Sequence, residues 1–241
     1  MMRFRGYGQF CPVAMAAEVI AERWTPLVLR ELLYGHTRFN ELKRGVPLMS
    51  PTLLSQRLKQ LQSANLVIRR RAADGAGWEY HLTESGRQLQ PIIEAMGSWG
   101  LKWLQRDMPK RNYDVSLLMW DMRRGVKLEE FPPAARTVVQ FAFADQNAAK
   151  RLWWLVCEKG AIDLCIKDPG FEIDLRVDTD ARTLTDVWMR ALPLERALRA
   201  ESIRLEGPRA QTSAFRRWFA LNKVANMPAW PWPALAGQMA A

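Results

Sequence analysis

The 241-residue sequence predicts two joined units: a mainly α module closed by a β-hairpin, then an α+β domain built on an antiparallel sheet. Three observations carry this reading. The first half is a series of helical segments punctuated by proline and glycine, ending in a basic strand pair. The second half reads as successive strands of six to eight residues separated by short turns. The charge is also uneven: of the net +10, residues 1–110 carry +7 and residues 111–241 only +3. A basic excess in one unit points to an anionic partner there, nucleic acid or a membrane surface.

Within 11–22, Val13, Ala16, Ala17 and Ile20 recur at helical spacing. Trp24-Thr25-Pro26 restarts the chain, with Thr25 a candidate cap and Pro26 at the first helical position, and Gly35 ends that helix. A short helix over 38–44 buries Phe39 and Leu42. Ser50-Pro51 repeats the cap-and-proline start, and Leu54, Leu58 and Leu61 then define a buried stripe. The opposite face carries Thr52, Ser55, Gln56, Lys59 and Gln60, with no acidic residue. Hydroxyls, amides and a cation suit base edges and phosphates in a major groove. An ordinary solvated helix face is the alternative, although such faces usually mix in Glu and Asp.

Leu66-Val67-Ile68 runs into Arg69, Arg70 and Arg71, a turn-rich tip follows, and Trp78–Leu82 returns as a second strand. Three helices followed by a basic hairpin make a winged helix, whose wing arginines would reach phosphate or a minor groove. With Arg38, Lys43, Ser50, Thr52, Ser55, Gln56, Arg57 and Lys59, these arginines are the candidate DNA contacts. Residues 84–106 form one long helix, kinked at Pro91. Its apolar stripe (Leu89, Ile92, Ile93, Met96, Trp99 or Gly100, Trp103) exceeds what a small winged helix buries; a dimer interface would explain the surplus, and packing on the second domain is the competing explanation.

Over residues 10–106 the sequence resembles the HxlR-type family of bacterial winged-helix transcriptional regulators. The resemblance rests on Cys11-Pro12, Arg23-Trp24-Thr25, Arg30–Gly35, Arg38–Leu42, Ser50–Lys59, Ala64–Val67 and Tyr80–Gly86. It implies a homodimer in the bacterial cytoplasm that binds double-stranded DNA at a pseudo-palindromic operator. The wing tip, Ala-Ala-Asp-Gly-Ala-Gly, departs from the prolines and acidic residues the family often carries there. Some family members use the cysteine of the Cys-Pro pair as a redox or electrophile sensor, which makes Cys11 a candidate sensor. A small apolar residue at a helix start is the alternative.

The expected domains are 1–108 for DNA binding and dimerisation, 109–225 for an α+β domain, and 226–241 for a Pro/Trp-containing tail. In the second, Val115–Met122 reads as a helix, and 137–144, 151–157, 161–166 and 172–177 as strands. Helices over 182–190 and 194–199, a strand at 203–205 and a helix at 210–221 complete it. This half resembles the sterol-carrier-protein-like fold, through the hairpin WWLVCEKGAIDLCIK, the strand Ile173–Val177 before Asp178, and the helical stretch 183–200 ahead of Ile203–Gly207. That resemblance implies an apolar ligand tunnel, walled by Phe141, Phe143, Trp153 or Trp154, Leu164 and Trp188, that would hold a small hydrophobic effector. It departs at Arg190-Ala191-Leu192, where the fold usually carries a glycine. An ordinary packed α+β core is the alternative.

No P-loop, dinucleotide fingerprint or zinc-spaced cluster is present in the sequence, and no cofactor, metal or enzymatic activity is expected. Cys157 is expected opposite Ile162 and Cys165 opposite Trp154, which places the two thiols out of register for a disulfide. The apolar runs are too short to span a membrane. A lipid or hydrophobic-ligand carrier with a basic interaction domain is the competing function. The face over Ser50–Lys59 and the wing arginines argue against it, since a carrier needs neither.

Overall fold

The computed structural model of the chain describes residues 6–104, 109, 112–126, 128–132 and 135–218; the expected tail at 226–241 lies outside them. The chain begins with helices α1 (Pro12–Ile20), α2 (Thr25–Leu33), α3 (Phe39–Gly45) and α4 (Pro51–Ser63), followed by the strands β1 (Val67–Arg71) and β2 (Trp78–Leu82). Trp24, in the left-handed region at φ 78°, takes the N-cap position of α2. Thr25 is therefore a buried helical residue and not the cap. Ser50 does cap α4, its hydroxyl accepting from Leu53 N at 3.2 Å, and Pro51 follows where its missing N–H costs nothing. Leu54, Leu58 and Leu61 lock α4 onto Val28, Leu29, Leu42 and Val67 in one apolar core. The wing is antiparallel with Arg70 opposite Glu79, and Tyr80 N donates to Thr37 O at 2.8 Å, adding a third stretch of backbone to its inner edge.

The expected single helix over 84–106 is two helices, α5 (Glu84–Arg87) and α6 (Gln90–Leu104). Pro91 lacks the N–H that would bond back to residue 87, so the ladder breaks before it and restarts with Pro91 in the first turn. Ile93 is the buried residue of α6, while Ile92, Met96, Trp99, Trp103 and Leu104 are exposed. The apolar surplus read from the sequence is thus real.

The second half comprises α7 (Val115–Gly125), strands β3 (Arg136–Phe143), β4 (Leu152–Glu158), β5 (Ala161–Cys165) and β6 (Leu175–Thr179), helices α8 (Ala181–Trp188) and α9 (Leu194–Arg199), β7 (Arg204–Glu206), and α10 (Arg209–Trp218). The sheet order is β5-β4-β3-β6-β7. It is mixed, not antiparallel as expected, because β6 pairs with β3 in parallel. Two successive hairpins leave β5 running in the direction of β3. The segment 166–174 then returns the chain to the end where β3 began, and β6 joins the free side of β3 in the same direction. Asp174 anchors that return, its Oδ2 accepting from Val138 N at 2.8 Å.

Side chains alternate across the sheet. Val139, Phe141, Phe143, Trp153, Leu155, Leu175 and Val177 face a core shared with α7, α8 and α10, while Val138, Trp154 and Val156 form a smaller cluster on the other face. Asp114 and Asp180 cap α7 and α8, at 2.9 and 2.8 Å from Leu117 N and Thr183 N. Cys157 lies opposite Ile162 and Cys165 opposite Trp154, the register expected from the sequence.

Candidate nucleic-acid interface

On α4, Thr52, Gln56 and Lys59 are exposed and Ser55 is half-buried, on the side away from the leucine stripe. Arg57 belongs elsewhere. It is buried, with Nε donating to Arg23 O at 3.1 Å, Nη2 to Glu22 at 2.8 Å and Nη1 to Gln60. Arg57 therefore braces α4 against the turn between α1 and α2 and is not presented with the outer face. Gln60, its partner, is held inward with it.

The wing presents Arg69, Arg70 and Arg71, all exposed. Arg69 and Arg71 stack on Trp78 from the same side of the hairpin, at 4.0 and 4.8 Å from its ring. The indole thus holds two exposed guanidiniums side by side. Arg38 is paired with Asp74 at 2.6 Å and donates to Ala76 O at 3.3 Å, so it ties the start of α3 to the wing tip. Lys43 is half-buried and donates to Pro47 O at 2.9 Å. Of the sequence candidates, then, Thr52, Ser55, Gln56, Lys59 and the three wing arginines lie on presented surface. Arg38, Lys43, Ser50 and Arg57 are engaged within the fold.

Among the expected tunnel residues, Phe141, Phe143, Trp153 and Trp188 share one packed core, with both phenylalanines fully buried. Trp154 points to the other face of the sheet. Trp153 and Leu164 also line a cleft of about 320 Å³ with Lys43, Arg44 and Trp120, and Trp188 lines another of about 460 Å³. Both clefts lie where the second half meets the first.

That junction is built on Glu31, a fully buried carboxylate on α2. Arg30 donates to its Oε1 at 2.7 and 2.9 Å, and Oε2 meets His36 Nδ1 at 2.9 Å and Arg124 Nη1 at 2.8 Å. Burial alone would raise the Glu31 pKa. The His36 hydrogen bond and the charges of Arg30 and Arg124 outweigh it and hold the carboxyl at about 2. Gly45 has no side chain because a Cβ there would run into the Glu31 carboxylate. On α7, Arg124 also pairs with Asp121, whose Oδ2 accepts from Trp188 Nε1 at 2.6 Å. Sequence reading passed over this group. The available signal was Glu31 itself, a charge set among Val28, Leu29 and Leu32 on the buried stripe of its helix.

Cys11 is the N-cap residue of α1 and partly exposed. The backbone N–H groups of Ala14 and Val13 near its sulfur lower its thiol pKa, whereas burial pushes Cys157 up to about 12. Among the described residues no cluster of His, Cys, Asp and Glu could hold a metal, and no helix is long and apolar enough to cross a membrane.

Comparison with known proteins converges on the same half of the chain. The family described as HxlR-like helix-turn-helix matches residues 19–108. The chain is 33% identical over 98 residues to the uncharacterized HTH-type transcriptional regulator YvaP of Bacillus subtilis (strain 168), covering 40% of this chain and 91% of that protein. It is 32% identical over 106 residues to YkvN of the same organism, described in the same words, covering 44% and 90%. With the corresponding regulator Mb3122 of Mycobacterium bovis it shares 41% over 95 residues, covering 39% of this chain and 60% of that one. The four-helix arrangement with its basic wing and these long matches lead to one assignment: through its first half, the chain belongs to the HxlR-like helix-turn-helix family.

Proposed function

We propose that this protein is a bacterial transcriptional regulator that binds double-stranded DNA as a homodimer. The observation that carries the reading is the outer face of α4, where Thr52, Ser55, Gln56 and Lys59 stand without a carboxylate, next to a wing bearing Arg69, Arg70 and Arg71. In this reading α4 enters the major groove and the Trp78-stacked arginines hold flanking phosphate. The relatives' description as HTH-type regulators supports it. The exposed stripe of α6 supports dimerisation, because Ile92, Met96, Trp99 and Trp103 would otherwise leave a row of large apolar side chains in water. Two copies joined there would set their α4 helices one DNA turn apart, about 34 Å, on an inverted repeat.

Electrophoretic mobility of mixed genomic fragments with the full chain, measured across salt, tests this. Lys59 and the three wing arginines of each copy supply about eight phosphate contacts per dimer, so log K should fall with log[salt] at a slope near −7. A slope shallower than about −2 would refute the interface.

A further inference from the structure

The cleft of about 460 Å³ lies between the two halves, under α6 on one side and against α7 and α8 on the other. Its wall is largely apolar, with Met96 and Leu101 from α6, Leu117 from α7, and Trp188 and Met189 at the end of α8, and it carries the polar side chains of Asn112, Asp114 and Thr185 as well. Its volume falls in the range of sites that enclose a drug-sized molecule. The charged groups at its inner end are balanced among themselves. Arg30 and Arg124 face Glu31 and Asp121 through the hydrogen bonds already described, and Asp114 caps α7 and pairs with Lys150 at 3.3 Å, so neither an anion nor a cation from outside is called for.

We propose that this junction cleft is the effector site of the regulator and takes an uncharged, largely apolar small molecule. The inference rests on the DNA-binding reading above and adds where and how it is controlled. Trp188 forms part of the wall, and its Nε1 is bonded to Asp121, which holds Arg124, which holds Glu31 on α2. Gly125 leaves room for the same indole, since a Cβ there would come within 2.6 Å of its ring. A molecule that moves Trp188 therefore pulls on a continuous polar chain into the DNA-binding half. On the opposite wall, Met96, Gly100 and Leu104 line both this cleft and the outer apolar groove of α6. The ligand thus sits back to back with the proposed dimer seam, and the shared wall gives it a second route by which to favour one arrangement of two α4 helices over another.

The test uses the full chain with the uncharged dye Nile red, read by its blue-shifted emission and by the mobility of a bound DNA fragment in the same samples. Saturable binding of one dye per chain and a change of at least threefold in DNA affinity are expected. Leu117→Trp, which fills the cleft from α7, should weaken dye binding tenfold or more while leaving the thermal melt and dye-free DNA binding in place. Leu101→Trp, at a position that lines this cleft and not the outer groove, fills it from α6 and should act likewise. Ile92→Ser, on the outer groove alone, should leave dye affinity unchanged. Equal dye binding by both filling variants, loss on Ile92→Ser instead, or binding without any change in DNA affinity would overturn the assignment. Absence of DNA binding at low salt with the dye site intact would instead refute the regulator reading.

Discussion

Arg124 on α7 donates from Nη1 to Oε2 of Glu31 on α2, 2.8 Å away and 93 residues earlier in the chain. Glu31 is fully buried and Arg124 largely so, and each has a second opposite charge beside it: Arg30 for Glu31, Asp121 for Arg124. Charges removed from water are tolerated when paired and hydrogen-bonded in this way, and become costly when one partner is lost.

Glu31→Gln should therefore destabilise the protein by about 3–5 kcal/mol in urea denaturation at pH 7. The pH dependence follows from the direction of the shift. The folded carboxyl titrates at about 2 against an ordinary 4.5, so its contribution of about 3 kcal/mol is present above the ordinary value and disappears as pH falls from 4.5 toward 2. Wild type and variant should converge over that interval. A gap that is the same at pH 7 and pH 3 would show that the charge is not what matters.

Arg57 and Lys59, two residues apart, should separate stability from binding. Arg57→Ala removes three donated hydrogen bonds from a buried guanidinium and should cost about 2 kcal/mol of stability. Lys59→Ala should leave the melt unchanged and weaken DNA binding at every sequence. If Arg57→Ala melts like wild type, the brace between α4 and the α1–α2 turn is wrongly drawn.

Gln56→Ala and Arg70→Ala should differ in kind. The first removes an exposed amide from the proposed groove face and should relax base preference at one position per half-site, at about 1–3 kcal/mol for the preferred base. The second should weaken all sequences alike and flatten the salt slope. Matching selection profiles for the two variants would remove α4 from the groove.

Iodoacetamide at neutral pH should label Cys11 first, its thiolate favoured by the backbone N–H groups of Ala14 and Val13. Cys157, buried and with its pKa pushed up to about 12, should react only on unfolding. Peptide mapping over time gives the order, and early labelling of Cys157 would show that β4 opens in the native state.

The first half was legible because its signals are local. A proline after a capping serine, leucines at three and four residues, and a basic hairpin each act within a single turn or strand pair. The place of Arg57 was not legible, because a guanidinium is written the same way whether it faces DNA or reaches back to Glu22 and Arg23 O. Periodicity also joined α5 to α6, although Pro91 marked the break. In the second half the strands emerged within a few residues of their true ends. The direction of β6 did not, since it depends on where the 166–174 segment travels and not on the composition of either strand. The expected tunnel wall failed to separate Trp153 from Trp154 because a strand apolar on both faces gives no alternation to read.

The long reach from Glu31 to Arg124 also bears on how the protein is made. The winged half closes a core of its own whose last member, Ile93, lies on α6, so it can fold as soon as α6 has left the ribosome. The sheet cannot, because β3 waits for β6 on one side and β4 on the other. In between, α7 emerges with Val115, Leu118, Met119 and Met122 still uncovered, while Glu31 lacks one of its cations. Docking Arg124 on Glu31 would supply that cation and give the bare helix a folded surface to rest on. Nascent chains stalled just after α7 would then resist protease in a Glu31-dependent manner, the finished half serving as the template on which the second begins.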